Sequence, residues 1–479
     1  MENKYLIIAV VAIIVVVGAV GAVVFMGQSG KDSNSSYDLN SIANSQQNLS
    51  INGMDGCYDK YPASEECLLV VYGNVNNDMD IDNSDLTALN NIISGTWNKT
   101  KNPFADVNCD GAVNADDVAA LQKILNKEPT LLYYVNSNGY PEYIHYPVTG
   151  NIGINYDYGY MTAQILGIWD RVTAGLDRWV GNKVTDTLYP GVHSLYNMGT
   201  EQTVEADLAA YQAAGVKVIM GSGSNVALNN ALHESGYEID YLNLRFDQVM
   251  NLSQVPPIGR LVTAGFIFDK MDNAMVFYNW WTNLNNKIDM IFDAAGLEKK
   301  SFIVPYNTDQ AVETSVDDAL ANGRTMGDYT NVRDNLPMVP ALAPASDPGI
   351  TSPCYTTSIE YLLTVNPDVL IISMWGKMTD KTPYSEAYAA FAEKAEYYKN
   401  FTAYANGDVY GVCYETFGTY AGVAVLYLLC SYIYPTLFSE EDGWKYVDEY
   451  FDKFTLMDDS VDLKNAGGLI VYKLGKTTP

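Results

Sequence analysis

Histidine is nearly absent from this chain of 479 residues: His145, His193 and His233 are its three copies, and none stands in the context of a matching Ser or Cys nucleophile. No H-E-x-x-H, G-x-S-x-G or phosphate-loop sequence occurs, and Gly221-Ser222-Gly223-Ser224 is a glycine-rich turn without a nucleotide fingerprint. These absences speak against catalysis, and the expectation is that the protein is not an enzyme. Basic residues are scarce too. With 28 Lys and Arg against 57 Asp and Glu, and no basic cluster, the surface would repel a nucleic-acid backbone, which excludes nucleic acid as a partner.

Cysteine is sparse, with six copies, and none follows the N-terminal apolar run at a lipobox position, which removes a lipoprotein anchor. Cys57 and Cys67 lie close together in a polar segment and are expected to form a disulfide, whereas Cys354, Cys413 and Cys430 sit in apolar surroundings as core thiols. Asn34, Asn48, Asn98, Asn251 and Asn400 each begin an N-x-S/T sequence. Both features fit the outside of a cell.

Charge is missing altogether from Tyr5 to Met26, a run long enough to cross a hydrocarbon core of about 30 Å as a helix. Residues 1–27 are therefore expected to be a membrane anchor or signal segment, read as a single-pass anchor with the bulk of the chain extracytoplasmic. Residues 28–67, rich in Ser, Asn, Gln and Gly at their start, form a flexible tether carrying Cys57 and Cys67.

Residues 68–128 repeat one design twice, an Asp/Asn-rich loop followed by an amphipathic stretch with helical spacing: Leu86, Leu89, Ile92 and Ile93, then Val118, Leu121, Ile124 and Leu125. In the second loop Asp106, Asn108, Asp110, Asn114 and Asp117 take positions 1, 3, 5, 9 and 12, with Gly111 at position 6. Alternate oxygens of a tight loop are what a hard cation needs, and Gly permits the sharp turn. The first loop places Asn74, Asn76, Asp78, Asp82 and Asp85 likewise, but starts on Asn and has Met79 where Gly is expected. The pair resembles type I dockerin modules, which implies bound Ca2+ as a structural cofactor and allows either a cohesin-like partner or a calcium-stiffened spacer.

From Thr130 onward, apolar strand-like runs alternate with longer helical patterns: Asn151–Ile154, Val216–Met220, Ser301–Val304, Val369–Ile372 and Val409–Val412. That alternation means α/β units on mostly parallel sheets. Arg260 to Ala295 reads as one long helix, free of Gly and Pro after Phe266. The fold class expected is α/β, two lobes (130–259 and 297–479) joined by one long helix (260–296), preceded by a small all-α calcium-loop domain and an N-terminal transmembrane helix.

Ser358-Ile359-Glu360-Tyr361-Leu362-Leu363-Thr364-Val365-Asn366-Pro367-Asp368-Val369-Leu370-Ile371 is similar to the helix-to-strand transition of the ABC-importer solute-binding proteins for siderophores, haem and cobalamin. Val204-Glu205-Ala206-Asp207-Leu208 is a looser copy. Asn406-Gly407-Asp408-Val409-Tyr410 and Glu449-Tyr450-Phe451-Asp452-Lys453-Phe454 resemble later parts of the same family. The resemblance implies capture of a metal chelate (siderophore, haem or corrinoid) and its delivery to an ABC permease, with Glu205 and Glu360 as the permease-docking carboxylates.

Ligands of open parallel sheets sit beyond the carboxyl ends of the strands. There the chain places Asn155, Tyr156, Asp157, Tyr158 and Tyr160, then Ser222 to Asn225, Tyr306 and Asn307, Met374 and Trp375, and Tyr414 and Glu415. The rings of Tyr156, Tyr158, Tyr160, Tyr306, Trp375 and Tyr414 are the expected ligand contacts, suited to a large, flat or hydrophobic chelate. The rival reading is a cell-surface protein whose dockerin-like module docks to a scaffold while the lobed domain recognises a surface polymer.

Overall fold

The computed structural model describes residues 69–97, 102–136, 141–181, 188–199, 208–221, 236, 238–244, 257–306, 324–326, 338–340, 354–356, 359–374, 383–413, 416, 419–457, 461–464 and 471–478. Two short helices come first, α1 (Asn83–Ile93) and α2 (Ala115–Leu125). Each starts with a capping box built from its own loop: Asp82 with Asp85, and Asn114 with Asp117. Their apolar faces bury Leu89 and Ile92 on one side and Leu121 and Ile124 on the other.

The chain then forms a hairpin, β1 (Thr130–Val135) and β2 (Pro141–Tyr146), absent from the expected element order. Its sequence signal is Asn138-Gly139 between the two runs, the dipeptide that favours tight hairpin turns. The expected all-α module is also not closed by helices alone. Tyr72 N–H donates to Tyr133 O at 2.9 Å and Val135 N–H to Val70 O at 2.9 Å, so the segment before the first loop pairs with β1 as a strand would.

A five-stranded parallel sheet follows in the order β5-β4-β3-β6-β7: β3 (Asn151–Asn155), β4 (Val172–Gly175), β5 (Tyr196–Asn197), β6 (Val216–Gly221) and β7 (Asp240–Asn243). Helix α3 (Asp157–Ile165) leaves the end of β3.

The region expected as one helix is two, α4 (Pro257–Ile267) and α5 (Met271–Ala295). Asp269 between them takes a left-handed φ of 58°, and Lys270 N–H reaches back to Gly265 O at 2.7 Å. The helices approach so closely that a Cβ on Gly265 would stand 2.6 Å from the Ala274 side chain, which a straight helix could not achieve. Two compact units divide between Ala274 and Met275, inside α5.

In the second unit, β11-β8-β13-β14-β15 make a sheet that is parallel except for its last pair: β8 (Lys300–Ile303), β11 (Met338–Pro340), β13 (Val369–Ser373), β14 (Val409–Val412) and β15 (Val471–Lys473). A small antiparallel sheet orders β12-β10-β9, with β9 (Pro305–Tyr306), β10 (Arg324–Met326) and β12 (Cys354–Thr356). Helix α6 (Ile359–Val365) ends where the sequence places Pro367: Asn366 takes a φ of 43° and its N–H caps Leu362 O at 2.8 Å. Asp368 then ties β13 to β8, its carboxylate accepting Ser301 N–H at 2.8 Å and Ser301 Oγ–H at 2.7 Å, contacts that hold it below the usual carboxylate range.

Helix α7 (Gly422–Ile433) is buried at every residue and packs on α8 (Glu440–Phe454). The crossing is tight at Gly443, where a Cβ would lie 2.8 Å from Leu428 Cα. Backbone cannot yield as a side-chain tip can, so Gly443→Val is expected to cost about 1–3 kcal/mol despite any gain in helix propensity. Urea unfolding of the variant measures this.

The expected single-pass anchor is corrected here. No helix among the described residues is long and apolar enough to cross a membrane, and the Tyr5–Met26 run lies outside those residues. The most apolar helix, α7, has 12 residues where about 20 are needed, and the 25-residue α5 carries Asp272, Lys287, Asp289 and Asp293. Cys57 and Cys67 also lie outside the described residues, while Cys413 and Cys430 are fully buried.

Candidate functional site

Each acidic loop folds around its own carboxylates. In the second loop Asp106 Oδ1 accepts Asp110 N–H at 3.1 Å and Oδ2 accepts Gly111 N–H at 2.9 Å. Gly111 holds a φ of 89°, the turn that an L side chain resists. Asp117 closes the loop, its oxygens accepting Asn108 N–H at 3.2 Å and Asn114 N–H at 2.8 Å, while Asp110 Oδ1 accepts Ala112 N–H at 2.8 Å. Burial pushes the Asp106 carboxyl up to about 6, and the charges of Asp117 and Asp110 push it the same way. Burial raises Asp117 as well, with Asp110 adding to it.

The first loop differs in kind. Asp85 closes it, taking N–H groups of Val75 at 2.7 Å, Asn76 at 3.1 Å and Asp82 at 2.9 Å, and burial pushes it to about 6. Position 1 is the neutral Asn74, whose Nδ2 donates to Leu69 O at 2.8 Å and Asp78 O at 2.7 Å. Asn76 Nδ2 donates to Asp78 Oδ2 at 2.6 Å, and Asp82 Oδ1 accepts Ser84 N–H at 2.6 Å. The Asn76–Asp78 contact has its counterpart in Asn108 Nδ2 donating to Asp110 Oδ2 at 3.0 Å, so what separates the loops is position 1, an amide at Asn74 and a carboxylate at Asp106. Asn74 Oδ1 is wholly buried with no hydrogen-bond partner among the described residues.

Among the described residues no three His, Cys, Asp or Glu side chains form a group that could hold a metal. A cation here would rely on amide and backbone oxygens together with the carboxylates, which is the donor set calcium takes.

In the first unit's parallel sheet, the carboxyl ends of the strands carry Asn155, Gly175, Asn197, Gly221 and Asn243. Asn155 is 2% exposed, and neither atom of its amide has a hydrogen-bond partner among the described residues. Leaving such a group unpaired costs about 1–3 kcal/mol, so its persistence marks it out. It was named in the sequence only as part of the segment after the first strand; no pattern in one sequence distinguishes an orphaned amide from a paired one.

The tyrosines beside it divide. Tyr156 is half-buried at the start of α3, its ring 5.1 Å from that of Tyr158. Tyr160 is fully buried, with its hydroxyl oxygen accepting Leu176 N–H at 2.8 Å, and Tyr158 is buried as well. Both rings are packed inside the lobe, next to Asn155 in the sequence. Tyr306 ends β9 opposite Arg324, and Glu360 lies in the first turn of α6. Trp375, Tyr414 and Glu205 lie outside the described residues.

Residues 72–126 match the model of the dockerin type I domain. No curated protein sequence matches the chain. Among solved structures, the TroA-like periplasmic binding protein FepB from Veillonella parvula is similar over 71% of this chain and 99% of its own, at 13% identity and a TM-score of 0.52. The molybdate periplasmic binding protein MolA of a Haemophilus influenzae ABC transporter covers 67% and 97% at 14% identity, TM-score 0.49. An ABC-type Fe3+-hydroxamate transport system structure from Saccharomonospora viridis covers 63% and 98% at 14% identity, TM-score 0.42. The region beyond the dockerin domain therefore has the mixed α/β fold of periplasmic binding proteins.

Proposed function

We propose that the chain is the solute-capturing component of an ABC importer, that it takes up a metal chelate of the siderophore, haem or corrinoid class, and that its dockerin domain holds calcium. The unpaired amide of Asn155 at the carboxyl end of β3 carries the binding reading: it is a buried donor and acceptor waiting for a polar ligand group where open parallel sheets bind their ligands. Tyr156 adds a half-buried ring beside it.

Asn155→Leu separates this reading from a structural one. It removes an unsatisfied buried polar group and keeps the number and branching of side-chain heavy atoms, so thermal stability should hold or rise. Chelate affinity, read by quenching of intrinsic fluorescence, should fall about three- to tenfold for the loss of one neutral hydrogen bond. Unchanged affinity would remove Asn155 from the site.

Asp106, Asn108, Asp110, Asn114 and Asp117 would hold one calcium ion, and Asn74, Asn76, Asp78, Asp82 and Asp85 a second, weaker one. Bound there, the ion neutralises carboxylates that otherwise repel one another. Because Asp85 and Asp106 are raised to about 6 when folded, their contribution to stability in chelator is full below the usual carboxylate range and is lost as pH rises through about 6. Calcium needs the ionised forms. The melting-temperature gain from calcium should therefore grow as pH rises through about 6, and a gain independent of pH would contradict this. A cohesin-like partner would find apolar surface at the far end of α1, where Ile93 and Trp97 are exposed.

A further inference from the structure

Between α2, which ends at Leu125, and β1, which begins at Thr130, there is no flexible linker. The dockerin domain runs straight into the hairpin and shares a core with it. Val70, Tyr72, Phe104 and Cys109 from the domain form one buried cluster with Tyr133, Val135 and Tyr143 of the hairpin. Within it Tyr72 meets Phe104 and Tyr133 edge-on, with centroids 5.5 Å and 6.4 Å away. Cys109 is the residue between Asn108 and Asp110, so the second acidic loop is itself pinned into this cluster.

The hairpin in turn is fastened to the parallel sheet at both ends of β7. Tyr134 Oη donates to the buried Glu142 at 2.9 Å and accepts Asn243 N–H at 3.1 Å. His145 N–H donates to the buried Asp240 at 2.7 Å. Tyr146 stacks on Phe266 of α4 at 6.1 Å, and Val70 N–H reaches Thr263 Oγ1 of the same helix at 3.4 Å. The Lys127–Asp269 ion pair, 2.7 Å long, is exposed on both sides and adds little.

We propose that the dockerin domain is a built-in part of the N-terminal lobe, so that filling its loops with calcium stabilises the five-stranded sheet β5-β4-β3-β6-β7 through the hairpin. The calcium half of this rests on the reading given under the proposed function; the mechanical half rests on the shared core. Regions that share a core open together, whereas a tethered domain opens alone.

Hydrogen exchange of the full-length protein tests it, comparing amides of α1 and α2 with those of β3 and β6, in calcium and in EGTA. Leu121→Ala loosens the domain from inside at a buried residue that is neither a proposed ligand nor a member of the shared cluster. It should speed exchange in β3 and β6 about tenfold, in parallel with α1 and α2, and calcium should slow both sets together. If Leu121→Ala prevents folding of the chain, Ile124→Val makes the same comparison with a smaller perturbation. Faster exchange confined to α1 and α2 would overturn the proposal. Calcium that fails to slow α1 and α2 would sink the calcium reading and with it the calcium half of the proposal, while the variant comparison still decides whether domain and lobe are one unit.

Discussion

Asp110→Ala is expected to remove most of the stabilisation that calcium gives the protein, while Asp78→Ala, at the same position of the other loop, removes little. Both carboxylates are exposed, so the difference lies in their loops. Around Asp110 stand Asp106 and Asp117, both buried and both pushed up in pKa, and Gly111 supplies the left-handed turn. Around Asp78 the first position is neutral Asn74, whose amide already bonds Asp78 O, and Met79 has no left-handed φ. At free calcium about 100 times the dissociation constant, one site contributes about 2.7 kcal/mol. In a unit of this size that corresponds to about 5–10 °C in melting temperature. Scanning calorimetry of the two variants in calcium and in EGTA reads the difference, and equal losses would show that the loops share the ion load.

Glu360→Ala and Trp375→Ala should fail in opposite ways. Glu360 lies in the first turn of α6, in the segment whose sequence resembles the docking region of importer binding proteins, and a carboxylate used for docking would affect encounter with a permease more than solute affinity. Transport by the reconstituted importer should drop about tenfold or more with an unchanged dissociation constant. Trp375 follows β13 by two residues in the sequence. Truncating an aromatic anchor typically costs 2 kcal/mol or more, about thirtyfold in affinity. Chelate binding that weakens in Glu360→Ala as much as transport does would make that carboxylate part of the solute site instead.

What the sequence carried and what it did not follow from the range of the forces involved. The acidic loops, their helices and the strands β3, β6, β8, β13 and β14 are written in local spacing, and each lies within a residue or two of its expected place. The Pro367-Asp368 transition was legible because proline acts on its immediate neighbour. The break at Asp269 was not, since Gly265 against Ala274 is a packing event that no helical period records. Nor was the union of Val70–Tyr72 with β1, a pairing across some sixty residues that depends on both partners being folded. That Tyr160, the fourth residue of α3, is buried with its hydroxyl on Leu176 N–H was not legible either, since burial depends on what packs around the helix.

The measurement that bears most directly on solute capture is an equilibrium titration of the calcium-loaded chain with a ferric hydroxamate, a ferric catecholate, haem and a corrinoid, followed by intrinsic fluorescence and chelate absorbance. Saturable one-to-one binding of one of these classes is expected, with a dissociation constant below about 1 μM, equivalent to about −8.2 kcal/mol. A flat response to every one of them from protein shown to be folded would contradict the metal-chelate reading.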